Sequence, residues 1–278
     1  MIANITYKGS SGHVYDLQTS RIMQREANYH TWEWLPIATD LLYGARVSAF
    51  GREPAVYTTQ LIFRGPLAER KAVIDALHED FELDVRTLKP GRLTWGDYYL
   101  DCYISSSSTY PDEENLWTDN DISIYAPYPF WIRENSRTFL PQDQPAAQTF
   151  LDYEYDYEYD YYIGNPGVAV WDTGVPFASE FRLTIFGPVE WPRILINGHV
   201  YEVYTTLEAS EYLVIDSRAN TVIQTNVAGR TENIFDRRNK RSSVFEPVPG
   251  GPLSLGWTGA FGFDLTLYEE RSEPRWTE

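Results

Sequence analysis

Apolar and polar residues alternate in short runs along most of this chain, and one segment carries a sustained helical period. That segment, PLAERKAVIDALHEDF from Pro66 to Phe81, repeats Leu67, Ile74, Leu77 and Phe81 at helical spacing. Glu69, Lys71, Asp75 and Glu79 fall on its other faces. The pattern predicts an amphipathic helix, with Pro66 tolerated at its start because an early helical position needs no backbone donor. Elsewhere the period is two, the signature of strands. Val56 to Gly65 reads as a strand, and Asp121–Tyr125 as another with Ile122 and Ile124 on one face. Arg92–Trp95 and Tyr98–Ser105 read as a hairpin around Gly96-Asp97. Shorter strands are expected around Ile2–Tyr7, His13–Leu17, Thr31–Trp34 and Val47–Phe50, and Pro129 interrupts a further run, YPFWIRE.

Between Asn135 and Ala147 the chain turns polar and carries Pro141 and Pro145, as a linker does. Beyond it comes a train of short strands. Asn197-Gly198 is the strongest hairpin signal, with Ile194–Ile196 and Val200–Val203 as its arms. This pattern predicts a mixed α+β domain over 1–138 and an all-β sandwich or jelly roll over 139–278, whose last strands have the option of packing back on the first domain.

Just after the linker, LDYEYDYEYDYYI alternates Tyr153, Tyr155, Tyr157, Tyr159 and Tyr161 with Asp152, Glu154, Asp156, Glu158 and Asp160. In a strand this gives one face of phenols and one of carboxylates, whereas a helix would mix them. Neighbouring carboxylates on such a face stand about 7 Å apart, within the range of an inverting glycosidase pair. Five in a row make a ribbon rather than a prepared dyad. Binding of a hard cation suits clustered carboxylates better, although the spacing does not follow a calcium-loop motif. The reading that fits best is an oligomer or partner interface.

Composition shifts the emphasis toward assembly. Tyr (21), Phe (13) and Trp (9) are heavily used, and they suit β-rich cores and protein interfaces alike. The formal charge is −17, and the parts on either side of Thr138 are both acidic. A stable nucleic-acid interface needs a positive field, so it is not expected, and neither is binding to an anionic membrane. No apolar run approaches the roughly 20 residues that span a bilayer. MIANITYKG lacks a basic region followed by an apolar core, so synthesis and folding in a reducing cytoplasm are expected. One cysteine, Cys102, rules out an intrachain disulfide.

Candidate chemistry is thin. His13, His30, His78 and His199 show no ligand spacing, so neither a zinc enzyme nor a cofactor is expected. Ser105–Ser108 lacks the G-x-S-x-G elbow and a fixed base, and Gly250-Gly251 lacks the phosphate-loop Lys-Ser/Thr. Arg237, Arg238, Lys240 and Arg241 form the dense basic cluster. On an acidic background they are expected to meet an acidic surface of a neighbouring subunit, with Tyr153 to Asp160 as the candidate partner. Trp171, Trp191 and Trp257 are possible sugar-stacking residues, each with an equally good reading as core packing.

The run FGPVEWPRILINGHVYEV, then EYLVIDSR, the pattern of Asn233, Phe235 and Asp236, and SSVFEPVPGGPLSLGWTG resemble the distal tail proteins of long, flexible-tailed bacteriophages and prophages. The helix from Pro66 and GRLTWGDYYLDCYIS are similar to the N-terminal region of that family. The resemblance implies a ring-forming, mixed α+β belt domain followed by a galectin-like β-sandwich. It implies a non-enzymatic tail-tip hub in the virion, made of six copies, with one face on the tail tube protein and the other on the tail-associated hub protein. DNA would pass through the bore. The alternative is a carbohydrate-binding module or adhesin of the tail, for which the resemblance supplies no sugar-binding motif.

Overall fold

The computed structural model describes residues 4–110, 116–142 and 167–276. The chain forms two compact units, Met1–Arg133 with Glu270–Glu278, and Glu134–Glu269. The segment from Leu151 to Ile163, with its alternating tyrosines and carboxylates, lies outside the described residues.

In the first unit, β1 (Ile5–Lys8), β2 (Val14–Asp16), β3 (Ile22–Arg25), β4 (Leu35–Asp40), β5 (Ala45–Gly51) and β6 (Ala55–Arg64) precede α1 (Leu67–Thr87). Then come β7 (Gly91–Trp95), β8 (Tyr98–Tyr110), β9 (Trp117–Ala126) and β10 (Trp131–Phe139), along which the chain leaves this unit. The 13-residue β8 serves two sets of strands. Its first half pairs with β7, from Trp95↔Tyr98 to Gly91↔Cys102. Its second half pairs with β9, from Tyr103↔Tyr125 to Tyr110↔Asp119, across a register shift between Ile104 and Ser106. Such an irregularity bends a strand, so β8 joins the run β8-β7-β1-β2 to the run β8-β9-β6-β3. Helix α1 packs on β8 and β6. Leu61, Phe63, Leu77, Leu100, Cys102 and Trp131 are sealed in the core between them. Burial pushes the Cys102 thiol up, leaving an inert packing group.

The last two turns of the helix are also held by buried carboxylates. Asp80 and Asp84 are 4% and 0% exposed. Asp84 accepts from the Tyr7 hydroxyl and from the Ser10 amide at 2.7 Å. Asp80 accepts from the Tyr15 hydroxyl at 2.5 Å and faces His13 Nδ1 at 3.0 Å. These bonds fasten the helix to the β1–β2 region, a role that hydrophobic periodicity does not register. The helix closes at Leu88, left-handed with φ 54, and Pro90 follows. Gly91 passes so close to this cluster that a Cβ there would lie 2.2 Å from the Tyr7 hydroxyl.

The second unit continues with β11 (Gly167–Asp172), β12 (Glu180–Phe186), β13 (Val189–Glu190), β14 (Arg193–Ile196), β15 (His199–Glu202) and β16 (Thr206–Leu207). It then adds β17 (Tyr212–Asp216), β18 (Thr221–Thr225), β19 (Thr231–Asn233), β20 (Pro252–Trp257) and β21 (Phe263–Arg271). One sheet runs β10-β21-β12-β17-β18-β19, a second runs β11-β20-β14-β15, and β13 pairs with β16. Every registered pair is antiparallel. Phe181, Leu183 and Ile185 of β12 face the same core as Ile194 and Ile196 of β14 and Leu253 and Leu255 of β20. Each such buried side chain contributes roughly 1.5–3 kcal/mol of transfer free energy. The predicted Asn-Gly turn joins β14 to β15, with φ of 48° at Asn197 and 85° at Gly198.

Candidate functional site

Strands β4 and β5 pair only with each other among the described residues. Sequence periodicity places strands around Thr31–Trp34 and Val47–Phe50; in the structure the first strand begins later, at Leu35, and the two form one long hairpin. Every residue from Leu35 to Phe50 is exposed. At its tip the Leu41 amide bonds to the Gly44 carbonyl at 2.9 Å, with Gly44 at φ 81, and presents Leu42 and Tyr43 at 89% and 90% exposure. Ile37, Val47 and Phe50 add apolar surface along the arms. At its base, the Arg52 guanidinium lies 4.7 Å from the Phe130 ring and 5.4 Å from that of Trp34. An isolated two-stranded ribbon is marginal in water, and unpaired edges with apolar side chains are templates for another chain.

A second apolar surface of the same unit is a groove of about 700 Å³ between α1 and the β8–β9 pair. Phe81, Val85, Leu88, Tyr103, Ile104 and Tyr125 line it. At one end the Ser107 hydroxyl is hydrogen-bonded with His78 Nε2 at 3.1 Å and accepts from Asn120 Nδ2 at 2.9 Å. Burial pulls the His78 pKa down against the pull of Asp75. Sequence spacing gave no reason to bring these two residues together, since they meet only because α1 lies over β8. A hydroxyl–imidazole pair also needs an orienting group and oxyanion donors to act as a nucleophile. Among the described residues no carboxylate hydrogen-bonds His78, and the pair sits at the groove's edge beside Asn120.

The basic cluster belongs to the second unit. Phe235–Arg237 forms a 3₁₀ turn, and the residues after it run beside β15: Val203 bridges Arg238, and the Asn239 amide bonds to the Glu202 carbonyl at 2.9 Å. Arg238, Lys240 and Arg241 line a polar pocket of about 540 Å³. Arg237 faces Glu232 instead, at 3.2 Å. Arg193, from β14, joins the pocket and was not legible as part of the cluster, being more than forty residues away in sequence. The acidic surface expected to meet this cluster, Tyr153 to Asp160, lies outside the described residues.

Trp171 and Trp257 are core residues, at 7% and 4% exposure, and the Trp257 indole donates to the Phe261 carbonyl at 3.0 Å. Trp191 is 61% exposed. His199 Nε2 bonds to the Ser243 carbonyl at 2.8 Å, and the His30 ring stacks on Trp276. Among the described residues no three His, Cys, Asp or Glu side chains gather as a metal site. No helix among them is long and apolar enough to cross a membrane.

No protein-family model matches the chain, and no curated protein matches it by sequence. Solved structures do match its fold. The SPP1 Dit protein, described as a paradigm of the hub adsorption apparatus in phages infecting Gram-positive bacteria, superposes with a TM-score of 0.64 at 9% identity. The match covers 98% of this chain and 100% of that one. A chain of the phage P2 baseplate, in its calcium-activated conformation, matches at 0.64 and 11% identity over 99% of this chain and all of its own. The strontium-activated P2 baseplate gives 0.62 and 12%, with the same coverage. The described residues therefore have the β-rich fold of Dit-like baseplate proteins.

Proposed function

We propose that this chain is a non-enzymatic structural adaptor of a phage tail tip, a virion component made in the bacterial host. Its first part, 1–138, is the mixed α+β belt that closes a homo-hexameric ring, and 139–278 is a galectin-like sandwich carried on it. The ring joins the tail tube protein to the tail-associated hub protein, with DNA passing through its bore. The observation that carries this reading is the β4–β5 arm. It offers two edges unpaired among the described residues and an apolar tip, on a chain whose fold is shared with proteins of a hub and a baseplate. A repeated contact of one arm with the next copy is a head-to-tail interface, and such an interface generates a closed ring when the rotation per copy closes. Strand addition supplies main-chain hydrogen bonds, and apolar side chains along the arm fix the register.

Replacing the tip, Leu42→Asp with Tyr43→Ser, tests this. Both side chains are exposed, so the fold is expected to survive while self-association is lost by native mass spectrometry. An unchanged oligomer would remove the arm from the interface. The alternative, a carbohydrate-binding module or adhesin of the same particle, requires a saccharide site in the second unit.

A further inference from the structure

Tyr204 lines the pocket of the second unit, and Trp191 lies on the neighbouring chain segment. Along Trp191, Pro192, Arg193 and Ile194, exposure alternates out, in, out, in, and along Glu202, Val203, Tyr204 and Thr205 it alternates in the same sense. Arg193 and Glu202 are direct cross-strand partners. The Trp191 amide bonds to the Thr205 carbonyl at 2.9 Å, and the Val203 amide to the Pro192 carbonyl at 3.2 Å. These bonds set the backbone of Trp191, 61% exposed, beside the segment that carries Tyr204, 48% exposed. Trp191 holds φ at 50°, a left-handed conformation that a bulky residue adopts at a cost. A costly backbone that presents a large ring to solvent contributes nothing to the core.

The polar side of the pocket is equally fixed. The Arg238 guanidinium lies 3.6 Å from the centre of the Phe235 ring and donates to the Phe235 carbonyl at 2.7 Å. The Tyr204 amide bonds to the Arg237 carbonyl at 2.8 Å, so the segment bearing Arg238, Lys240 and Arg241 is pinned beside Tyr204. Of the two carboxylates in the pocket, Glu202 already accepts from Asn239 Nδ2 at 2.7 Å. Four cations thus face two carboxylates, on a chain whose net charge is −17. No ion pair within 4.0 Å is formed by Arg193, Lys240 or Arg241 among the described residues.

We infer that this pocket binds an acidic saccharide: a sugar ring stacked on Trp191 and Tyr204, with its carboxylate or phosphate held by Arg193, Lys240 and Arg241. Aromatic faces pack against the apolar face of a pyranose, and guanidinium groups match the paired oxygens of an oxyanion. Arg238, already occupied with Phe235, shapes the wall. The site goes beyond the adaptor reading and does not depend on ring formation.

The test titrates the full chain at low ionic strength with a hexuronate oligosaccharide, a hexose phosphate, the neutral oligosaccharide of equal length, and inorganic phosphate. Calorimetry reads affinity and tryptophan fluorescence reads stacking. At least one acidic sugar is expected to bind about ten-fold or more tighter than both the neutral sugar and phosphate, and to change the Trp191 emission. Which one does so distinguishes a carboxylate from a phosphate ligand. Trp191→Ala and Arg193→Gln are each expected to weaken it at least about ten-fold, with unchanged circular dichroism, while Arg237→Gln leaves it unchanged. Equal affinity for neutral sugar, equal affinity for phosphate alone, indifference to Trp191→Ala, or no binding of either acidic sugar would each overturn the inference.

Discussion

Asp80 and Gly91 show how much of the first unit rests on single residues. Burial works against the Asp80 carboxylate, but hydrogen bonds from Ser11, Tyr15 and His13 outweigh it and hold its pKa below the usual carboxylate value. A group with a lowered folded pKa contributes stability that is present above its unfolded pKa, about 3.9, and is lost as pH falls through the folded value. Wild type is therefore expected to exceed Asp80→Asn in stability at neutral pH, with the gap closing below about pH 4, as followed by urea unfolding across pH. A gap that stays constant into acid would contradict this role. At Gly91 a Cβ meets the Tyr7 hydroxyl at 2.2 Å and Asp84 Oδ2 at 2.6 Å. Gly91→Ala is expected to cost roughly 1–3 kcal/mol through overpacking of that cluster, measured by the same unfolding assay. Sequence periodicity marks neither residue, because a buried, hydrogen-bonded aspartate looks like a surface one and a glycine's crowding is set by chain segments distant in sequence.

At the scale of elements, legibility followed local chemistry. The Asn197-Gly198 turn could be read outright, because two left-handed residues in succession favour that pair. Asn197 adds a tertiary bond, accepting the Ser254 amide at 2.7 Å. Asn197→Ala should then destabilise the second unit by roughly 1–2 kcal/mol, judged by denaturant unfolding, since it strains the turn and orphans that amide. The helix was read only as far as Phe81, and it continues to Thr87, with Val85 extending its apolar face and Asp84 anchoring its last turn. The β4–β5 arm was read as separate short strands. An arm with no buried face has no reason to alternate, so the period-two signal that identifies half-buried strands is missing. The pocket of the second unit was half legible: Arg238, Lys240 and Arg241 lie close together in sequence, whereas Arg193 reaches it through the pairing of β14 with β15.

For the whole molecule, the sequence pattern changes near the proline-rich segment from one that contains a helix to a train of short strands, and the chain forms two compact units. That the first unit also takes Glu270–Glu278 was open in the sequence, because pairing of a last strand depends on tertiary neighbours. The adaptor account makes one demand above all others: copies of this chain must associate through the β4–β5 arm. Native mass spectrometry of the intact protein over a range of concentrations, with negative-stain images of the same samples, measures this directly. The account predicts six-fold rings for wild type and loss of rings for Leu42→Asp with Tyr43→Ser at preserved secondary structure. A monomer at every concentration, or rings that persist in the doubly substituted protein, would contradict it.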